Sequence, residues 1–170
     1  MCIRDRLDIL KNGPIYWIDS ADMDPCIGTA SAAMWTLRAE GRLFHSGLPQ
    51  KGINSLELVM ETCSYLQNKF YEDFPPHPSE DKYKFLTPST MKPTQICCAE
   101  GSVNQIPPWA EIKGDIRLTP FYDIEQCVGK MTEYVKQLNE DLSILPTRGP
   151  CSKYTITAVS YTHLTLPTKA

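Results

Sequence analysis

Glu111-Ile112-Lys113-Gly114-Asp115-Ile116-Arg117-Leu118-Thr119 decides the fold. Ile112, Gly114, Ile116 and Leu118 fall on one side of an extended chain, and Lys113, Asp115 and Arg117 fall on the other. A period of two with one apolar and one charged side belongs to a strand in a sheet with one wet face. The dry face must be buried, and the sequence on either side supplies two amphipathic helices to cover it.

The first of these lies downstream. Asp123 can cap a helix, Gln126 stands at the capping-box position, and Tyr122 and Cys127 can form the staple. Ile124, Cys127, Met131, Val135, Leu138 and Leu142 make its apolar stripe, and Pro146 with Gly149-Pro150 ends it. Upstream, Gly101 to Trp109 is a turn-rich link. Thr87 to Ala99 reads as a strand whose Pro88 and Pro93 demand an edge position or a bulge. Before it, Pro76 to Lys84 is a polar connection. The other helix starts at the Asn54 cap, with Glu57 at the box position and Ile53 and Leu58 as staple. Its stripe is Leu56, Met60, Cys63 and Phe70, bordered by Val59 and Leu66, and Pro75-Pro76 stops it. Met34 to His45 reads as one more strand, with Trp35, Leu37, Ala39, Leu43 and His45 on one parity. Gly41 interrupts it, as at a bulge or a close backbone approach. The order strand, helix, strand, strand, helix is α+β, and one further strand would complete a ferredoxin-like split βαββαβ unit.

Ahead of this unit, Ile15-Tyr16-Trp17-Ile18 reads as a short buried strand that runs into Asp19-Ser20-Ala21-Asp22-Met23-Asp24-Pro25. By itself such a cluster of carboxylates is a solvated acidic loop. His45, beside Ser46-Gly47, reads alone as a partly buried histidine bonded to a carbonyl. Asn104 in its turn reads as structural, and Arg117 as a solvated side chain or a cross-strand partner of an acid.

The 170 residues are enough for one domain with trimmings. The net charge of -3, with Lys and Arg scattered, argues against nucleic acid as a partner. No apolar run reaches membrane-spanning length, and the first residues have no apolar core of a secretory signal. The expectation is a soluble protein of the cytoplasm or an organelle, with no membrane partner. The seven cysteines include no Cys-x-x-Cys pair, and they are expected to be small buried hydrophobes in a reducing compartment.

Both ends look foreign. Met1 to Arg6, and Val159 to Ala170 with the residue before it, resemble a translated sequencing adaptor. Residues 1–6 and 158–170 are therefore set aside, His163 is given no role, and the native last strand of the unit is expected to be missing.

Four stretches carry a resemblance. They are Asp19-Ser20-Ala21-Asp22 with Pro25-Cys26-Ile27-Gly28-Thr29; Gly41-Arg42-Leu43-Phe44-His45-Ser46-Gly47-Leu48-Pro49 running to Asn54; Ser102-Val103-Asn104-Gln105-Ile106-Pro107; and Gly114-Asp115-Ile116-Arg117-Leu118-Thr119-Pro120. In order and spacing the chain resembles the M20 family of metallopeptidases and deacylases, more narrowly the acetylornithine deacetylases of plants and other eukaryotes. The resemblance implies a remnant of the α/β zinc catalytic domain over residues 7–33 and an incomplete lid and dimerisation domain over 34–157. It implies a hydrolase of linear amide bonds as the whole protein, removing acetyl from N-acetylornithine in arginine biosynthesis, with the piece inactive alone. A dimerisation module only, or a related aminoacylase or peptidase, are the alternatives.

The resemblance also implies roles. His45 reaches across a homodimer to steady the oxyanion in the partner's site. Asn104 contacts a small N-acyl amino acid substrate, and Arg117 grips its carboxylate. Asp19, with Asp22 as rival, binds one of two zinc ions, for which cobalt can substitute. The histidine-x-aspartate motif and the other zinc ligands are not in this sequence. With only His45, His77 and His163 present, no tight metal binding is expected of the piece.

Overall fold

A computed structural model describes residues 30–146 and 148, and the backbone of 159–165. Asp19, Asp22 and the strand expected at Ile15 to Ile18 lie outside the described residues. Over the described residues the architecture is α+β, with two antiparallel sheets and three α-helices. In chain order the elements are β1 (Ser31–Glu40), β2 (Phe44–His45), α1 (Ser55–Asp73), α2 (Pro78–Lys82), β3 (Thr90–Cys98), β4 (Gln105–Ile106), β5 (Trp109–Leu118), α3 (Ile124–Glu140) and β6 (Val159–Thr165). The larger sheet runs β3-β5-β1-β6, and β2 pairs with β4 in the smaller one.

The alternation that opened the reading holds in β5. Ile112, Gly114, Ile116 and Leu118 are buried, and the charged residues between them face out. β1 runs antiparallel beside it from Ser31↔Leu118 to Glu40↔Trp109, and buries Ala33, Trp35, Leu37 and Ala39. The two long helices lie on this dry face and close one core. Gly114 is where backbone and ring crowd together: a Cβ there would stand 2.1 Å from the Lys92 carbonyl oxygen and 2.5 Å from Trp35 Cζ2.

Both helix starts form as the capping residues require. Asn54 Oδ1 accepts from the amides of Leu56 and Glu57, at 3.1 and 3.4 Å. Asp123 Oδ1 accepts from those of Glu125 and Gln126, at 2.7 and 3.0 Å. The α3 stripe is buried at Cys127, Met131, Val135 and Leu138, with Val128 added. In α1 the buried face is rotated from the expected one. Leu58, Val59, Thr62, Cys63, Leu66 and Phe70 are inside, Leu56 is at the margin, and Met60 is exposed. Thr62, polar by composition, is fully buried on this face, a position that an apolar count passes over.

Three other expectations are corrected. Met34 to His45 is two strands, because the chain folds at Gly41, where a Cβ would lie 2.4 Å from the Ile53 carbonyl oxygen. Leu43 and His45 therefore leave the core parity and are exposed. The polar connection contains the short helix α2, capped by His77 Nδ1, which accepts from the Ser79 amide at 3.1 Å. The cysteines divide: Cys63 and Cys127 are buried, whereas Cys97 and Cys98 are exposed on β3. The segment set aside as foreign is nonetheless a strand in the sheet. Val159–Thr165 pairs antiparallel with β1 from Ala33↔Thr165 to Ala39↔Val159. An unpaired β1 edge is a template for any segment of strand-forming residues, and Val-Ser-Tyr-Thr-His-Leu-Thr is one. β3 lies at the sheet edge as its prolines require, with a register shift between Pro93 and Gln95.

Candidate functional site

β2 and β4 prolong the β1–β5 ladder beyond Glu40↔Trp109. Gly41 donates its amide to the Pro108 carbonyl at 2.7 Å, and the chain then pairs as Phe44↔Ile106 and His45↔Gln105. This small ribbon brings His45 and Asn104 together at its tip. The Ser46 amide donates to the Asn104 carbonyl at 2.9 Å, and the Asn104 side-chain amide lies 3.3 Å from His45 Nε2. His45 also heads a turn in which Leu48 donates its amide to the His45 carbonyl at 3.0 Å. Inside that turn the Gly47 amide donates to His45 Nδ1 at 2.9 Å. His45 is thus exposed and bonded to an amide, not partly buried and bonded to a carbonyl.

The tip is apolar around its polar centre. Leu43, Leu48 and Val103 are all exposed there. The turn residues Ser46 and Gly47 carry no periodic signal, so the role of the Gly47 amide is invisible until the backbone is folded.

Arg117 is at the other end of β5, on its charged face. It is 56% exposed, and its Nε donates to Asp115 Oδ2 at 2.8 Å. The acidic neighbour is thus on the same strand, two residues back. Arg117 is eight positions along β5 from Trp109, or ~26 Å at strand rise, and the His45 ribbon extends beyond Trp109. His45 and Asn104 meet; Arg117 does not meet them within one chain.

Thr119, just beyond β5, is buried and structural. Its hydroxyl donates to Glu80 Oε1 at 2.8 Å, and its amide donates to Ser89 Oγ at 3.1 Å. The buried Glu80 is a residue that sequence reasoning missed, because it sits in an acidic connection that reads as solvated. Among the described residues no group of three or more His, Cys, Asp or Glu is placed to hold a metal ion. No helix among them is long and apolar enough to cross a membrane.

Residues 27–142 match the peptidase dimerisation domain of the M20 family. The chain is 53% identical over 157 residues to an acetylornithine deacetylase of Arabidopsis thaliana, covering 92% of this chain and 36% of that protein. It is 48% identical over 153 residues to an acetylornithine deacetylase of Dictyostelium discoideum, covering 90% and 34%. The chain therefore spans about a third of the length of these relatives. Among solved structures, an amidase of the hydantoinase/carbamoylase family from Burkholderia phymatum superposes with a TM-score of 0.58 at 10% identity, over 82% of this chain and 31% of that one. That likeness concerns the fold alone.

Proposed function

Because this chain belongs to the M20 metallopeptidase family and carries its peptidase dimerisation domain, we propose that it is the lid and dimerisation part of a zinc-dependent amidohydrolase that removes the acetyl group from N-acetylornithine. The identity with two acetylornithine deacetylases supports that substrate class. The strand order supports reading the lid as a split βαββαβ unit, with β6 in the place of the native last strand.

The observation that carries the proposal is the separation of His45 and Asn104 from Arg117. A small acyl amino acid cannot touch both ends of β5 in one subunit. Two subunits resolve this. The ribbon tip of one protomer, with its exposed Leu43, Leu48 and Val103, enters the partner's cleft and is covered there. His45 then donates a hydrogen bond to the oxygen that becomes negative when the amide carbon turns tetrahedral. Arg117 of the other protomer presents its guanidinium fork to the substrate carboxylate. Asp115, bound to Nε, holds the fork in orientation. Asn104 lines the same pocket beside His45.

Zinc is expected of the whole enzyme, polarising the amide when bound. The described residues of this chain do not fit such a site, since His45 Nδ1 is already taken by Gly47 and no carboxylate cluster faces the ring. Asp19, with Asp22 as rival, remains the proposed ligand from the preceding segment. The work of this domain is then done by hydrogen bonds and charge. The test is turnover of N-acetylornithine by the full-length enzyme with Arg117→Ala. The reading expects the KM to rise at least tenfold and the discrimination between N-acetylornithine and its decarboxylated analogue to be lost. An unchanged preference for the carboxylate would refute the role of Arg117.

A further inference from the structure

We propose that the Gly47 amide fixes the ring of His45 as the tautomer with its proton on Nε2, making Gly47 a positioning residue for the donor. The inference rests on the reading of His45 as an oxyanion donor. A neutral imidazole has one N–H and one bare nitrogen, and which is which follows from the partner of each. Nδ1 accepts from the Gly47 amide at 2.9 Å, so Nδ1 is the bare nitrogen and the proton is on Nε2.

The bond is built into the turn. The His45 carbonyl accepts from Leu48, so Gly47 is held two residues behind the ring with its amide turned back on Nδ1. A side chain at 47 would bring a Cβ to 3.1 Å from Nδ1 and 3.2 Å from Cε1, so the ring would have to draw back by a few tenths of an ångström from this amide, which glycine spares it. The other side of the ring follows. The structure has Asn104 Nδ2 3.3 Å from Nε2. A nitrogen that carries a proton cannot accept from the Asn104 NH2 group, so a proton on Nε2 requires the Asn104 amide to be turned over, with Oδ1 in the place of Nδ2. Asn104 thereby holds the donor until an oxyanion takes its place, and the ring need not change tautomer when it does.

The test uses this 170-residue chain labelled with nitrogen-15 at histidine, with His45→Gln to assign the ring signals. Long-range nitrogen–proton spectra are expected to show a bare Nδ1 and a protonated Nε2. Gly47→Pro, which removes the amide hydrogen, is expected to give signals averaged between tautomers, whereas Asn104→Leu leaves the pattern unchanged. Independently of whether Gly47→Pro folds, the Gly47 amide is expected to exchange with solvent about fivefold faster in His45→Ala. A proton on Nδ1, a tautomer that changes with Asn104→Leu, or a Gly47 exchange rate indifferent to His45→Ala would overturn the proposal. If these results hold and full-length His45→Ala turns over normally, the lock stands and the oxyanion reading falls. If His45→Ala is inactive but the ring is not locked, only the lock is lost.

Discussion

In His45 one ring serves two ends: Nδ1 closes a turn through Gly47, and Nε2 faces the tip of the ribbon beside Asn104. Removing a donor aimed at developing charge costs a rate and not an affinity. His45→Ala in the full-length enzyme is therefore expected to lower kcat by roughly 100- to 1,000-fold with little change in KM, measured by steady-state kinetics. A rise in KM alone would assign His45 to ground-state binding. His45 was legible as the end of a strand beside a small flexible pair, but not as an exposed residue. The parity count carried it into the core across Gly41, where close approach to Ile53 breaks the strand. Gly114 was legible only as part of the apolar side of β5, and the structure shows why that position is a glycine. With a Cβ 2.1 Å from the Lys92 carbonyl and 2.5 Å from the Trp35 ring, Gly114→Ala must part β3 from β5 or displace the ring. A loss of more than ~3 kcal/mol in urea unfolding is expected, and a loss below 1 kcal/mol (roughly the surface-substitution range) would contradict that packing.

Between elements, the contact of α1 with α3 is tied by Asp73. It accepts from the Tyr134 hydroxyl at 2.6 Å and pairs with Lys130 at 3.0 Å. Burial raises the Asp73 carboxyl, but Tyr134 and Lys130 together outweigh it and leave the group below its usual value. The same bond, with burial, pushes the Tyr134 phenol up to about 12. The depressed acid contributes stability above the unfolded carboxylate value of about 3.9, and loses it as pH falls through the folded value. The raised phenol contributes stability below the unfolded tyrosine value of about 10. That part is lost as pH climbs towards about 12. Tyr134→Phe is thus expected to cost about 1 kcal/mol near neutrality, with the gap from the parent narrowing in both acid and alkali. Urea unfolding across pH reads this directly, and a gap independent of pH would exclude the bond as its source. Elements with a strong period and a cap, such as β5 and α3, were readable in advance. α2 was not, because five residues capped by a histidine hold no period. Nor was the rotation of α1, because Thr62 is polar by composition and buried by size. β6 was set aside as foreign, and it still pairs with β1 because an open edge selects for strand propensity rather than for origin.

At the scale of the whole molecule, the domain holds its two groups of candidate residues at opposite ends of one sheet, and a dimer is the simplest assembly that brings them to one substrate. The action across a dimer was expected from the family resemblance alone; the separation was not legible without the fold, since Asn104 and Arg117 are near neighbours along the chain and are set apart only by the run of β5. The most direct test is complementation in the full-length enzyme, mixing an inactive His45→Ala dimer with an inactive Arg117→Ala dimer and letting subunits exchange. Each mixed dimer then has one intact site, with Arg117 from one subunit and His45 from the other, so that equal mixing restores about a quarter of parental activity by random pairing. Activity that stays at the background of the two variants, with mixed dimers demonstrably formed, would place both residues in the site of a single subunit and contradict the account.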